Sequence, residues 1–88
     1  MSRAKSDNLI LRFGEKLRTL RLRHGMTVRE LTRALGYTGS GQISEIETGK
    51  RLPTAEFVLK VARYFSVSAD HLLKDELDVD GNEQSPTT

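Results

Sequence analysis

The sequence predicts an all-α fold, a compact bundle of five short helices, and three observations carry that prediction. Apolar residues recur at intervals of three and four in five successive segments between Leu9 and Leu73. The segments are punctuated by helix chemistry, with Thr27, Thr54 and Ser68 standing ahead of apolar runs and Gly25, Gly36 and Gly49 behind them. Nothing alternates with the period of two that a half-buried strand needs.

The first segment places Leu9, Phe13, Leu17 and Leu20 on one side and Arg12, Lys16, Arg18 and Arg23 on the other, and it ends near Gly25. The second opens on Thr27-Val-Arg-Glu30, a capping box in which the threonine hydroxyl and the glutamate each satisfy a free backbone N–H. It then buries Val28, Leu31 and Leu35 before Gly36. The third holds Ile43 and Ile46 and stops at Gly49; the fourth follows Pro53-Thr54 with Phe57, Val58, Val61, Ala62 and Phe65; the fifth follows Ser68 with Leu72 and Leu73. Helices shorter than about 12 to 15 residues are marginal in water, so packing of these apolar stripes on one another must hold them.

Eighty-eight residues make one domain. We read residues 1–7 as a flexible N-terminal arm, 8–74 as the folded domain and 75–88 as an acidic, disordered tail. The net charge of +2 conceals an asymmetry: residues up to Lys74 hold all 14 Lys and Arg against seven acids, whereas residues from Asp75 onward hold five acids and no cation. A basic folded part points to a polyanionic partner.

Other classes of function are poorly served. The chain has no cysteine for a disulfide or thiolate site and only His24 and His71, so neither a metal nor another cofactor is expected. His24 is placed to complement the end of the first helix, and His71 reads as exposed. Neither histidine has a nucleophile and an orienting acid at a recognisable spacing, so no enzyme is expected. The Gly49-Lys50-Arg51 run lacks the earlier glycine and the following Ser or Thr of a phosphate-binding loop. Apolar runs of about three residues are far below the ~20 of a membrane span, which predicts a soluble, cytoplasmic protein.

Helices two and three form a short pair joined through Gly36-Tyr-Thr-Gly-Ser-Gly41, and the third presents small and amide-bearing side chains outward. With Met26-Thr27, Glu30-Leu31, Leu35-Gly36, the run Ile43 to Arg51, Pro53-Thr54 and Val67 to Leu73, the chain resembles the helix-turn-helix DNA-binding domains of the lambda-repressor and Cro type, the XRE family. The likeness covers roughly residues 9 to 74. It implies a five-helix lambda-repressor-like domain, with helix three in the major groove of double-stranded DNA and helix two crossing the backbone. The groove is about 12 Å wide and admits one helix whose outer side chains reach base edges. Ser40, Gly41, Gln42 and Glu45 are placed for those edges, Gln42 suited to adenine and Glu45 to the cytosine amino group. Thr27, Arg29, Thr38, Ser44, Thr48, Lys50 and Arg51 are placed for phosphates.

Two positions depart from the family pattern. Val28 stands where many relatives have a glutamine that bridges phosphate and helix three, which leaves the backbone contact to Arg29. The turn from Gly36 to Ile43 is one residue longer than the commonest form, and its Gly39 and Gly41 serve either a positive φ or a close approach to DNA. Arg21 continues the Phe13, Leu17 row and Glu47 the Ile43 row, so both lie beside inward-facing stripes; the resemblance implies that they form a structural ion pair. Phe65 is assigned to the core and Tyr64 to its rim. The functional expectation is a transcriptional regulator, a repressor, binding a pseudo-palindromic operator as a homodimer. The competing class is an antitoxin-like or adaptor module that grips a protein partner and binds DNA secondarily.

Overall fold

Five helices and no strand occur among the described residues, 10–39 and 41–79 of this computed structural model. In chain order α1 spans Phe13–Arg23, α2 Val28–Ala34, α3 Gly41–Glu47, α4 Ala55–Phe65 and α5 Ala69–Leu73. The capping box of α2 is closed in both directions: Thr27 Oγ1 accepts from the Glu30 N–H at 3.0 Å, and Glu30 Oε1 accepts from the Thr27 N–H at 2.9 Å. The hydroxyls of Thr54 and Ser68 accept likewise from the N–H groups of Phe57 and His71. Helix α2 ends because Gly36 adopts a φ of 86°. The Gly36 N–H then reaches the Arg33 carbonyl and the Tyr37 N–H the Thr32 carbonyl, which occupies two carbonyls the helix leaves free.

The five apolar faces converge on one core. Phe13, Leu17 and Leu20 of α1 meet Leu31, Leu35, Ile43 and Ile46 from α2, its end and α3, and Phe57, Val61 and Phe65 of α4 close the layer with Leu72 of α5. Phe13 and Phe57 pack edge to face at 6.1 Å between ring centres. Fully burying each such side chain is worth about 1.5–3 kcal/mol, which is what holds helices of five to eleven residues in place. Val28 is only half-buried against this core, while Tyr64 lies 45% exposed at its rim.

The start of α1 departs from the sequence reading. The apolar row begins at Leu9, which lies outside the described residues, yet the helix begins at Phe13. The two residues ahead of it are held from a point remote in sequence: Asp75 accepts from the Leu11 N–H at 3.0 Å and from the Arg12 N–H at 2.9 Å. Arg12 reciprocates, its guanidinium donating to the Asp75 carbonyl and to the Asp78 carboxylate, each at 2.7 Å. Lys16, expected on the outer side, is 1% exposed. Its ammonium donates to the carbonyls of His71 and Lys74 at 2.7 and 2.5 Å, which places a cation on the free carbonyls ending α5. Val79 is 8% exposed. The assignment of 75–88 to a disordered tail is therefore corrected for residues 75 to 79, where Asp75 and Asp78 bond Leu11 and Arg12 just ahead of α1 and Val79 joins the core. Residues 80–88 and the arm 1–7 lie outside the described residues.

Burial, reinforced by the Arg12 charge, pushes the Lys16 ammonium down from its ordinary value. Burial pushes the Asp75 carboxyl up, but the two backbone N–H donors, with Lys16 and Arg12 nearby, outweigh it and leave Asp75 below the usual carboxylate range. The hydrogen bond from Arg12 lowers Asp78 likewise. A carboxyl depressed by folding contributes stability above its unfolded pKa of about 3.9 and loses it as pH falls through the folded value. Below about pH 4 the 75–79 segment is accordingly expected to loosen from Leu11 and Arg12, seen as lower protection factors in hydrogen exchange at those two amides. At neutral pH, Asp75→Ala is expected to cost about 1–3 kcal/mol in thermal unfolding, the range for amides that lose a charged acceptor.

Candidate nucleic-acid interface

Two contacts from α1 fix where α3 stands. A Cβ added at Gly14 would lie 2.3 Å from the Ile46 carbonyl oxygen and 2.8 Å from that of Glu47, so the backbone of α1 touches the end of α3 directly. Two turns further along the same face, Arg21 grips Glu47 with two parallel bonds, Nε to Oε2 at 2.7 Å and Nη2 to Oε1 at 3.0 Å. Its Nη1 donates to the Met26 carbonyl at 2.8 Å, tying the same guanidinium to the loop before α2. The two side chains are only 11% and 6% exposed. This is a buried pair whose orientation is set by three hydrogen bonds.

With Ile43 and Ile46 turned into the core, α3 presents Gly41 and Ser44 to solvent, with Thr48 exposed just past its end, Glu45 between them and Gln42 half-buried on the flank. Ser40 lies outside the described residues. Neither Gly39 nor Gly41 has a positive φ, and a Cβ at either would meet nothing within 4 Å. Of the two roles left open for these glycines, a positive φ is excluded, and the surface beside them is open. The Thr48 hydroxyl donates back to the carbonyls of Ser44 and Glu45 at 3.0 and 3.2 Å.

The end of α3 decides where its cations go. Gly49 takes a φ of 84°, and the turn it permits brings the Gly49 N–H to the Ile46 carbonyl and the Lys50 N–H to the Glu45 carbonyl at 2.8 Å. Reversal of the chain carries Arg51 back over the helix it has just left. Arg51 Nε donates to Glu45 Oε1 at 2.9 Å, and Nη2 stands 2.7 Å from the same oxygen. Glu45 and Arg51, expected separately at a base edge and at a phosphate, are thus brought together. Lys50 remains exposed.

On the other side of the α2–α3 turn, Arg29, Thr32, Arg33, Tyr37, Thr38 and Gly39 line a shallow polar recess. Arg29 and Thr38 are exposed there, and Thr27 stands at the opening turn of α2 with its hydroxyl accepting the cap bond.

Comparison with known proteins matches residues 12–74 to a family model described as a helix-turn-helix domain. The chain belongs to that family. It is a helix-turn-helix DNA-binding protein of the XRE type. It is 36% identical over 66 residues to the HTH-type transcriptional activator BcrR of Enterococcus faecalis, covering 75% of this chain and 32% of BcrR. It is also 36% identical over 64 residues to the uncharacterized HTH-type transcriptional regulator YazB of Bacillus subtilis (strain 168), covering 73% of this chain and 91% of YazB. The likeness thus spans about a third of the first relative and nearly all of the second. No solved structure matches the chain significantly.

In this helix-turn-helix, α2 and α3 are the paired helices, and three residues of the recess escaped the sequence reading: Arg33, Tyr37 and the buried Thr32, whose hydroxyl donates to the Val28 carbonyl. Arg33 lies four positions after Arg29 and so shares its helix face, a spacing that was available to find it. Tyr37 is placed by contacts remote in sequence: Lys60 Nζ sits 4.3 Å from its ring centre while donating to the Leu35 carbonyl, and the ring of Phe57 lies 5.9 Å away. Among the described residues no three His, Cys, Asp or Glu side chains group to hold a metal ion, and no helix is long and apolar enough to cross a membrane.

Proposed function

We propose that this chain is a sequence-specific transcriptional regulator that inserts α3 into the major groove of a pseudo-palindromic operator and acts as a homodimer. The observation that carries the reading is the outward face of α3, built from short and amide-bearing residues, held rigidly by Gly14 and Arg21, and flanked by exposed cations on both sides. Ser40, Gly41, Gln42 and Glu45 read base edges in this account. Arg29, Thr38, Ser44, Thr48 and Lys50 contact phosphates, and the hydroxyl proton of Thr27 donates to one more. Occupancy of the operator alone suffices for repression. A second copy is supported by the apolar groove between Ile10, α4 and α5, where Pro53, Val58, Leu59 and Leu73 meet and Leu59 is 54% exposed. The groove equally suits the antitoxin-like alternative, in which a different protein fills it.

Binding to duplexes titrated with salt tests the reading. A specific regulator prefers its selected site over scrambled DNA by about a thousandfold or more, and its log affinity falls linearly with log salt, by about 0.9 for each phosphate neutralised. Equal, weak affinity for every duplex would contradict it and favour the protein-binding alternative.

A further inference from the structure

The pairing of Glu45 with Arg51 is not explained by the separate roles assigned to them. A carboxylate in the middle of a face directed at DNA repels phosphates, and a free arginine beyond the helix would contact phosphate without regard to sequence. In the structure both arginine contacts fall on one oxygen, Oε1, at 2.9 and 2.7 Å. Among the described residues Oε2 has no hydrogen-bond partner, and the side chains remain 46% and 53% exposed. The pair is therefore close to neutral, fixed in direction by the turn at Gly49, and leaves one carboxylate oxygen with free lone pairs on the outward face of α3.

We propose that Glu45 and Arg51 act as one reading unit for a C·G base pair, so that Arg51 determines specificity and is not a sequence-neutral phosphate contact. Oε2 of Glu45 accepts from the cytosine amino group, the only donor that a C·G pair presents in the major groove. Arg51 holds that carboxylate in place and offsets its charge as the helix approaches the phosphates. Its remaining N–H groups lie beside Glu45, where the O6 and N7 acceptors of the paired guanine would stand. Fixing the carboxylate before binding also spares the complex the ordering of a flexible side chain. The inference rests on the proposed major-groove reading and goes further by making the two residues interdependent.

Selection of bound duplexes from a random pool, run with the full chain and with Arg51→Gln, Glu45→Gln and the double variant, tests it. The wild type is expected to select a C·G pair at one position of each half-site. Arg51→Gln should lower discrimination at that position about fivefold or more while leaving the other positions unchanged, and Glu45→Gln should move the preference there towards adenine. The double variant should discriminate no worse against other bases at that position than the poorer single variant, because one unit is lost only once. Thermal unfolding should be unchanged for Arg51→Gln, since exposed pairs contribute little to stability. The inference is overturned if Arg51→Gln weakens binding to all duplexes equally, reduces the salt slope by about one and leaves every base preference intact, the behaviour of a plain phosphate contact. It is overturned too if Glu45→Gln leaves the selected sequence unaltered. A wild-type chain that selects no sequence at all contradicts the major-groove reading itself.

Discussion

Gly14→Ala is expected to destabilise the domain by about 3 kcal/mol or more and to weaken DNA binding beyond what the lost stability accounts for. The added methyl would sit 2.3 Å from a backbone oxygen of α3, and neither partner can yield by rotating a side chain. Overpacking commonly costs about 1–3 kcal/mol, and a clash with backbone stands at the upper end because a whole helix must shift. That helix is the one proposed to read DNA, so the residue links stability to function. Gly39→Ala is the control: its Cβ meets nothing within 4 Å and its φ is not positive, so unfolding should change by no more than about 0.5 kcal/mol. Urea unfolding of the two variants beside the wild type decides the matter, and equal midpoints for Gly14→Ala and Gly39→Ala would show that α1 does not brace α3.

Glu47→Ala is the second large effect. The Arg21 guanidinium would keep its bond to the Met26 carbonyl and lose both bonds to carboxylate, with its side chain 11% exposed. Removing one partner of a buried pair costs about 3–5 kcal/mol, a large part of the roughly 5–10 kcal/mol that a domain of this size possesses. Glu56→Ala, which touches only a 3.8 Å pair with Lys60 and is 78% exposed on the glutamate side, should cost less than about 1 kcal/mol. Replacing both partners with apolar residues of similar length, Arg21→Met with Glu47→Leu, should recover most of the loss, since no unpaired charge then remains. If Glu47→Ala unfolds no earlier than Glu56→Ala, the pair is not structural.

The elements legible in the sequence are those whose signals are local. The period of Phe13, Leu17 and Leu20, the Thr27 and Glu30 box and the glycines at 25, 36 and 49 each act within one helix or at its end, so their chemistry can be read from spacing alone. Helix α4 ends at Ser66, which takes a φ of 56° without being glycine, and nothing in the sequence marks that residue for a left-handed turn. The packing of residues 75–79 was illegible for a different reason: Asp75 accepts from amides more than 60 residues earlier, and acidic composition reads as solvated tail unless the distant cations are known to face it. The same limit hid the Glu45–Arg51 pair. Spacing placed Glu45 on the outward face, but only the reversal at Gly49 brings a residue six positions on across a turn to meet it.

Amide chemical-shift mapping of the isotope-labelled chain, titrated with the duplex recovered by selection, tests the central claim most directly. The account predicts that shifts concentrate on Gly41 to Thr48, with Lys50, Arg51 and the Thr27 to Arg29 turn next, while the amides of α5 stay near their free positions. Shifts centred on α4 and α5 with α3 unmoved would contradict it, because the duplex would then lie on the opposite assignment of surfaces.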